Sequence, residues 1–159
     1  MVAALVAIVV AAATVAAIVL VVRSSRDDST GGKLTTAAAK TAIQGYLDAL
    51  QKGDDEKIAR NTLCGLFDAV KERKSDLALA DLSSDAFRKQ FASAEVTSID
   101  KMVFSSPNQA QVLFSMRVSP SGSRKQPPPE VEVQAVAQLL GQDNEVLVCS
   151  YLLRAAGQY

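Results

Sequence analysis

Two side chains of this sequence are candidates for acid–base chemistry, Asp100 and Tyr46. The first lies where apolar and polar residues alternate, on the same predicted strand face as Val96, Met102 and Phe104. Burial on an apolar face would raise the pKa of its carboxyl towards that of a useful general base. The alternative is a carboxylate in water at a strand edge or bend, because lone acidic residues in strands are usually solvated.

Tyr46 lies on the apolar stripe of the first predicted helix, where its hydroxyl could donate a hydrogen bond into a cavity. The alternative is a packing role in the core. The sequence contains no histidine, which removes the usual base at neutral pH, every Ser-His or Cys-His arrangement and most zinc sites. We therefore expect no catalytic constellation beyond the candidates Asp100 and Tyr46, and neither a cofactor nor a metal.

The acidic run Asp54, Asp55 and Glu56 is better explained by a helix start than by a metal site. The first residue suits an N-cap and the other two complement the helix dipole, whereas consecutive helical side chains point in different directions. The chain has 17 Lys and Arg and 17 Asp and Glu, so its net charge is zero. This balance argues against a nucleic-acid-binding platform, which is normally strongly basic.

The first segment, Val2 to Val22, contains no charged residue and only one polar side chain, Thr14. A helix of this length can cross the hydrocarbon core of a bilayer, which is about 30 Å thick. We interpret it as an uncleaved membrane anchor rather than a secretory signal, because no basic residue precedes it and the apolar run continues past Val15-Ala16-Ala17. A buried helix of a globular domain would normally keep a polar face, and this segment has none.

Two signals disagree about the side of the membrane on which the rest of the chain lies. Arg23 and Arg26 follow the anchor directly, and positive residues favour the cytoplasmic side. The chain has an even number of cysteines, Cys64 and Cys149, which lie 85 positions apart. Each lies in a predicted structured element, and this arrangement suits one disulfide in an oxidising compartment. Two buried free thiols are the alternative, since these are common in cytosolic cores.

Behind the anchor, residues 23–33 are polar and predict a flexible linker, and a folded domain follows over residues 34–156. Apolar residues at spacings of three and four predict a first helix over residues 36–51, with Gly53 at its C-terminus. A second helix is predicted to begin at Asp54, to break near Cys64-Gly65 and to end at the polar run 71–76. A third is predicted over residues 84–91, with Ser83 or Ser84 as its N-cap.

After the third helix the apolar period changes from 3.6 to 2, which is typical of strands. The four predicted strands cover residues 96–104, 112–118, 131–139 and 146–153. Pro107-Asn108 and Asp143-Asn144 suit tight hairpins, and residues 120–129 form a longer loop. Helices followed by a meander indicate an α+β domain, with three helices on one face of a curved antiparallel sheet of about four strands.

Three features in this order resemble the NTF2-like (nuclear transport factor 2-like) superfamily of cone-shaped α+β domains. They are the helix with Tyr46-Leu47-Asp48-Ala49-Leu50, the Gly53-Asp54 step and the late meander. With the anchor, Cys64-Gly65 and Val146-Leu147-Val148-Cys149, the chain resembles actinobacterial, mycobacterial-type single-pass membrane proteins with an extracytoplasmic NTF2-like domain. The resemblance implies a disulfide between the two cysteines that joins the helices to the sheet. By analogy it also implies a homodimer through the open sheet face.

We therefore expect a cell-envelope protein whose anchored domain binds a protein partner or a small apolar ligand, without catalysis and without nucleic acid. One alternative is an NTF2-like isomerase or dehydratase, which would need Asp100 and Tyr46 at one cavity. Another is an accessory subunit of an envelope transport or secretion complex.

Overall fold

The computed structural model describes residues 34–122 and 129–154. The predicted anchor, Val2 to Val22, and the linker over residues 23–33 lie outside these ranges. No helix in the described ranges combines the length and hydropathy that a membrane span requires. The structure thus describes most of the domain predicted over residues 34–156.

Three α-helices come first in the described chain: α1 (Thr36–Lys52), α2 (Asp55–Thr62) and α3 (Lys74–Gln90). The end of α1 and the start of α2 are as predicted. Gly53 has a φ of 73° and donates its backbone N–H to the last turn of α1, while the Asp54 carboxylate accepts the backbone N–H of Lys57 at 3.1 Å. A left-handed residue and an acidic N-cap therefore join two helices within a few residues.

The predicted break near Cys64-Gly65 is confirmed, because these residues have φ values of 51° and 85°. Beyond the break, the prediction of the third helix was wrong. The helix begins at Lys74 and not near Ser84, since the polar run 71–76 supplies the exposed first turn of α3 rather than ending α2. Ser84 is not a cap: it is fully buried in the middle of α3 and its hydroxyl donates to the Leu50 carbonyl oxygen at 2.7 Å.

Four antiparallel strands follow in the sheet order β1-β2-β3-β4. They are β1 (Phe91–Ser106), β2 (Gln109–Pro120), β3 (Val131–Gln142) and β4 (Glu145–Leu153). The predicted turn between β3 and β4 is confirmed, with φ values of 46° at Asp143 and 74° at Asn144. Two such residues give the tight hairpin turn whose twist matches that of the strands. Helices followed by a meander make the domain α+β, as predicted.

The two faces of the sheet differ in burial, and we call them the inner and the outer face. The inner face packs against the helices, with α1 against β1 and β4, and α2 against β4. Its β2 side chains are all buried: Ala110, Val112, Phe114, Met116 and Val118. The outer face carries their alternating neighbours, Gln111, Leu113, Ser115 and Arg117. One apolar core therefore lies between the helices and the inner face.

Gly65→Ala is expected to lower the free energy of unfolding by about 1–2 kcal/mol, because an L-residue pays roughly that amount in a left-handed backbone conformation. The added Cβ would also collide with the Gln142 side chain. Gly45→Ala in α1 is the matched control, since its Cβ would lie 3.4 Å from Lys57 Nζ without backbone strain. Urea unfolding should show the control unchanged or stabilised. Equal losses in both variants would contradict this explanation.

Candidate functional site

A disulfide joins Cys64, just after α2, to Cys149 in the edge strand β4, with 4.8 Å between their Cα atoms. This confirms the bridge implied by the sequence resemblance. Beside it, Asn61 Oδ1 accepts the Val148 backbone N–H at 2.7 Å, and Asn61 Nδ2 donates to the Lys57 carbonyl oxygen at 2.8 Å. Because Asn61 is buried, these bonds satisfy polar groups that water does not reach. The bridge and Asn61 together hold α2 against β4.

A groove of about 320 Å³, which we call the tyrosine groove, lies between β4 and the three helices, and Cys149 of the disulfide is part of its lining. Its apolar side chains are Tyr46, Leu50, Ala86, Phe87 and Tyr151, with Cys149 at one side. Its polar side chains are Thr62, Ser83, Gln90 and Ser150. Among the described residues that line it, none carries a charge. The groove therefore offers aromatic surface together with neutral hydrogen-bonding groups.

Tyr46 and Tyr151 form the aromatic wall of the tyrosine groove. Their ring centroids are 6.1 Å apart and the planes are inclined by 72°, an edge-to-face contact. Burial, reinforced by repulsion from the neighbouring phenolate of Tyr151, raises the pKa of Tyr46 to about 12. Burial also raises the pKa of Tyr151. Both phenols are therefore neutral at physiological pH and act as hydrogen-bonding groups, not as bases.

Asp100 lies on the outer face of the sheet and not on the face of Val96 and Met102, and its side chain is exposed, as in the solvated alternative. Its oxygens accept hydrogen bonds from the hydroxyls of Ser98 and Ser115 and, at 3.1 Å, from the Gln134 amide. These bonds, with Ser98 the largest cause, lower the pKa of Asp100. A hydrogen-bonded carboxylate in water is a weaker base than the buried one that the alternation predicted.

Bulges in β1 explain why the alternation misplaced Asp100. The inner-face residues Val96, Ile99 and Met102 pair with Met116, Phe114 and Val112, so their spacing is three rather than two. The register shifts after Val96 and again after Ile99, which leaves Asp100 as an extra residue opposite no partner of its own. The strand pattern alone does not reveal such insertions.

Tyr46 and Asp100 therefore lie on opposite sides of the sheet, and the structure does not bring them together. The alternative enzyme hypothesis requires both side chains at one cavity, a condition that this arrangement does not meet. Within the two described ranges, His, Cys, Asp and Glu side chains form no group of three that could hold a metal ion.

Sequence reasoning missed Tyr151 and Gln90, which contribute to the tyrosine groove, and Asn61, which holds β4. Tyr151 had a detectable signal, because it falls on an apolar position of the fourth predicted strand. Asn61 had none, since a polar residue inside a short helix normally faces water.

The raised pKa of Tyr46 predicts how stability depends on pH. The unfolded side chain loses its proton near pH 10, whereas the native one keeps it to about pH 12. Between these two pH values the native state binds more protons than the unfolded state. The contribution of Tyr46 to the free energy of unfolding is therefore intact below pH 10 and decreases above it by about 1.4 kcal/mol per pH unit. Urea unfolding from pH 9 to 11.5 should show a steeper decline for the natural chain than for Tyr46→Phe. Parallel declines would contradict the assignment.

Over residues 26–154, the chain matches the family described as "Domain of unknown function (DUF8174)". It is 60% identical over 121 residues to the uncharacterized protein Rv2203 of Mycobacterium tuberculosis, a match that covers 76% of this chain and 51% of that protein. The chain thus spans about half the length of the curated relatives it matches. These mycobacterial relatives confirm the actinobacterial part of the sequence resemblance.

The solved structures to which this chain is similar are more distant in sequence. A variant of Rd1NTF2_05 is 10% identical with a TM-score of 0.49, covering 73% of this chain and 96% of that chain. A domain of unknown function with a cystatin-like fold from Nostoc punctiforme is 18% identical with a TM-score of 0.43, covering 76% of this chain and 78% of that chain. Because the family match includes most of the chain, the protein is a member of the family described as Domain of unknown function (DUF8174).

Proposed function

We propose that this chain is a non-catalytic binding module that holds a small, uncharged, largely apolar ligand in the tyrosine groove. The observation that carries the proposal is the lining of that groove: aromatic and aliphatic walls, neutral hydroxyl and amide groups, and no charged side chain among the described lining residues. Apolar pockets with a few placed polar groups are typical of small-molecule sites. Charged ligands would lose their hydration there without gaining an ionic partner.

Binding is favoured over catalysis because no titratable group in the tyrosine groove changes charge near neutral pH. Burial raises the pKa values of Tyr46 and Tyr151, which moves both values further above neutral pH. The carboxylate considered for base chemistry, Asp100, lies on the other face with its oxygens hydrogen-bonded. A general base needs a pKa near the working pH and a substrate within hydrogen-bond reach.

Ligand binding in the tyrosine groove is tested with the full chain in lipid nanodiscs. The protein is labelled with 3-fluorotyrosine, and its resonances are followed by ¹⁹F NMR. Indole is the neutral probe and indole-3-acetate its charged counterpart. Tyr46→Phe and Tyr151→Phe assign the two groove resonances. We expect indole to shift both resonances saturably and the carboxylate to bind at least tenfold more weakly.

A matched pair of variants locates the site on α3. Ala86 lines the tyrosine groove, so Ala86→Phe should fill it and abolish the indole-induced shifts. Ala78 is exposed on the same helix, about 80° around the helix axis from Ala86 by the 3.6-residue period, so Ala78→Phe should leave binding unchanged. No saturable shift in the natural chain, or equal binding in both variants, would refute the proposed function.

We further propose that the anchor Val2 to Val22 holds this module on the outer side of the cell membrane. The Cys64–Cys149 disulfide supports this side, because structural disulfides persist in oxidising compartments. In this location the module works at the membrane surface, where apolar ligands accumulate.

The proposed location makes a direct prediction for intact bacterial cells that produce the full chain. A membrane-impermeant maleimide should label the two cysteines only after treatment with an impermeant reductant. Labelling without any reductant, and only after the membrane is permeabilised, would place the cysteines inside as free thiols and overturn the proposed location. A variant with Cys64→Ser and Cys149→Ser provides the background signal.

A further inference from the structure

The outer face of the sheet carries two polar rows that cross the strands, and they differ in how their groups are satisfied. In the first row, Ser115 Oγ donates to Asp100 at 2.7 Å, the Gln134 amide donates to the same carboxylate, and Arg154 Nη1 donates to Gln134 Oε1 at 3.1 Å. This closed row satisfies its own polar groups. It has little hydrogen-bonding capacity left for a ligand.

The second row is open. Gln111 in β2 pairs directly with Gln138 in β3, and both are exposed. Within the described part of the chain, neither amide side chain takes part in a hydrogen bond such as those that close the first row. Each amide can donate two hydrogen bonds and accept two, so the pair presents a ladder of donors and acceptors to solvent and to ligands.

The open row forms the floor of a second groove of about 350 Å³, which we call the amide groove. Ser105 and Gln109 line it at the β1–β2 end, and the Cys64–Cys149 disulfide borders it on the other side. No described residue that lines it is charged. Anions would therefore find no cationic partner, and cations no carboxylate.

An apolar strip separates the two polar rows. Leu113, Val136 and Leu152 are consecutive partners across β2, β3 and β4, with Lys101 at the β1 end. Leu152 is 73% exposed, so its side chain adds apolar surface to this face. The face thus combines neutral amides with an adjacent apolar surface.

We propose that the amide groove and this strip bind a neutral oligosaccharide. A sugar ring presents hydroxyl groups that both donate and accept hydrogen bonds, which Gln111 and Gln138 match, and a C–H face that packs on Leu113 and Val136. Neutral sugars also need no charged partner, in agreement with the charge-free lining. The amides of this site lie on the outer face, whereas the tyrosine groove lies between β4 and the helices, and Cys149 is a lining residue of both grooves. The proposal does not depend on the proposed function of the tyrosine groove.

The proposal is tested by NMR on the full chain in lipid nanodiscs with ¹⁵N-labelled glutamine side chains. Maltotetraose and tetra-N-acetylchitotetraose are the neutral probes. We expect at least one of them to shift the amides of Gln111 and Gln138 saturably at millimolar concentration, without shifting those of Gln134. The fluorotyrosine signals of the tyrosine groove should stay in place, which separates the two sites.

Two variants make the test specific. Gln111→Ala with Gln138→Ala should weaken binding of the responding oligosaccharide at least tenfold, whereas Gln134→Ala in the closed row should change it less than threefold. The altered side chains are on the surface, and thermal unfolding of each variant confirms that it is folded. No shift with either probe at 10 mM, or equal effects of the two variants, would overturn the proposal.

Discussion

The covalent and hydrogen-bonded connection between α2 and β4 is the constraint on which the rest of this structure depends. The Cys64–Cys149 bridge and the Asn61–Val148 hydrogen bond hold an edge strand against a helix of only eight residues. The loop closed by the bridge contains α3 and three of the four strands, and closing such a loop is worth about 4.5 kcal/mol by the chain-entropy estimate. Cys149 also borders both grooves, so the same connection that stabilises the fold shapes the surfaces available for binding.

Elsewhere in the domain, polar side chains also hold secondary-structure elements in place. The Gln44 amide donates to the Ala94 carbonyl oxygen at 3.2 Å and accepts the Val96 N–H at 2.8 Å, so it pairs with the free edge of β1 as a neighbouring strand would. Such bonds protect an edge against pairing with other chains. No acidic residue in the described ranges, in contrast, is buried. The linings of the tyrosine groove and the amide groove contain no charged residue among those that the structure describes, in agreement with the two proposed binding sites.

Local patterns predicted much of this fold. The apolar spacing of α1, the glycine after it and the acidic N-cap of α2 depend on neighbouring residues, and all three were correct. Features that depend on tertiary contacts were missed. The start of α3 was misplaced because its polar first turn looked like a helix end, and Asp100 was assigned to the wrong face because bulges change the strand period without a mark in the sequence. Tyr46 was correctly placed as an inward-facing residue, but its partner Tyr151 comes from the far end of the chain.

Indole binding to the full chain before and after reduction tests whether the disulfide shapes the tyrosine groove. The ¹⁹F resonance of Tyr151 reports binding, and retained chemical-shift dispersion shows that the reduced chain is still folded. We expect reduction to weaken indole binding at least tenfold, because Cys149 and the adjoining part of β4 lose their covalent connection to α2. A folded, fully reduced chain that binds indole with unchanged affinity would contradict this role of the disulfide.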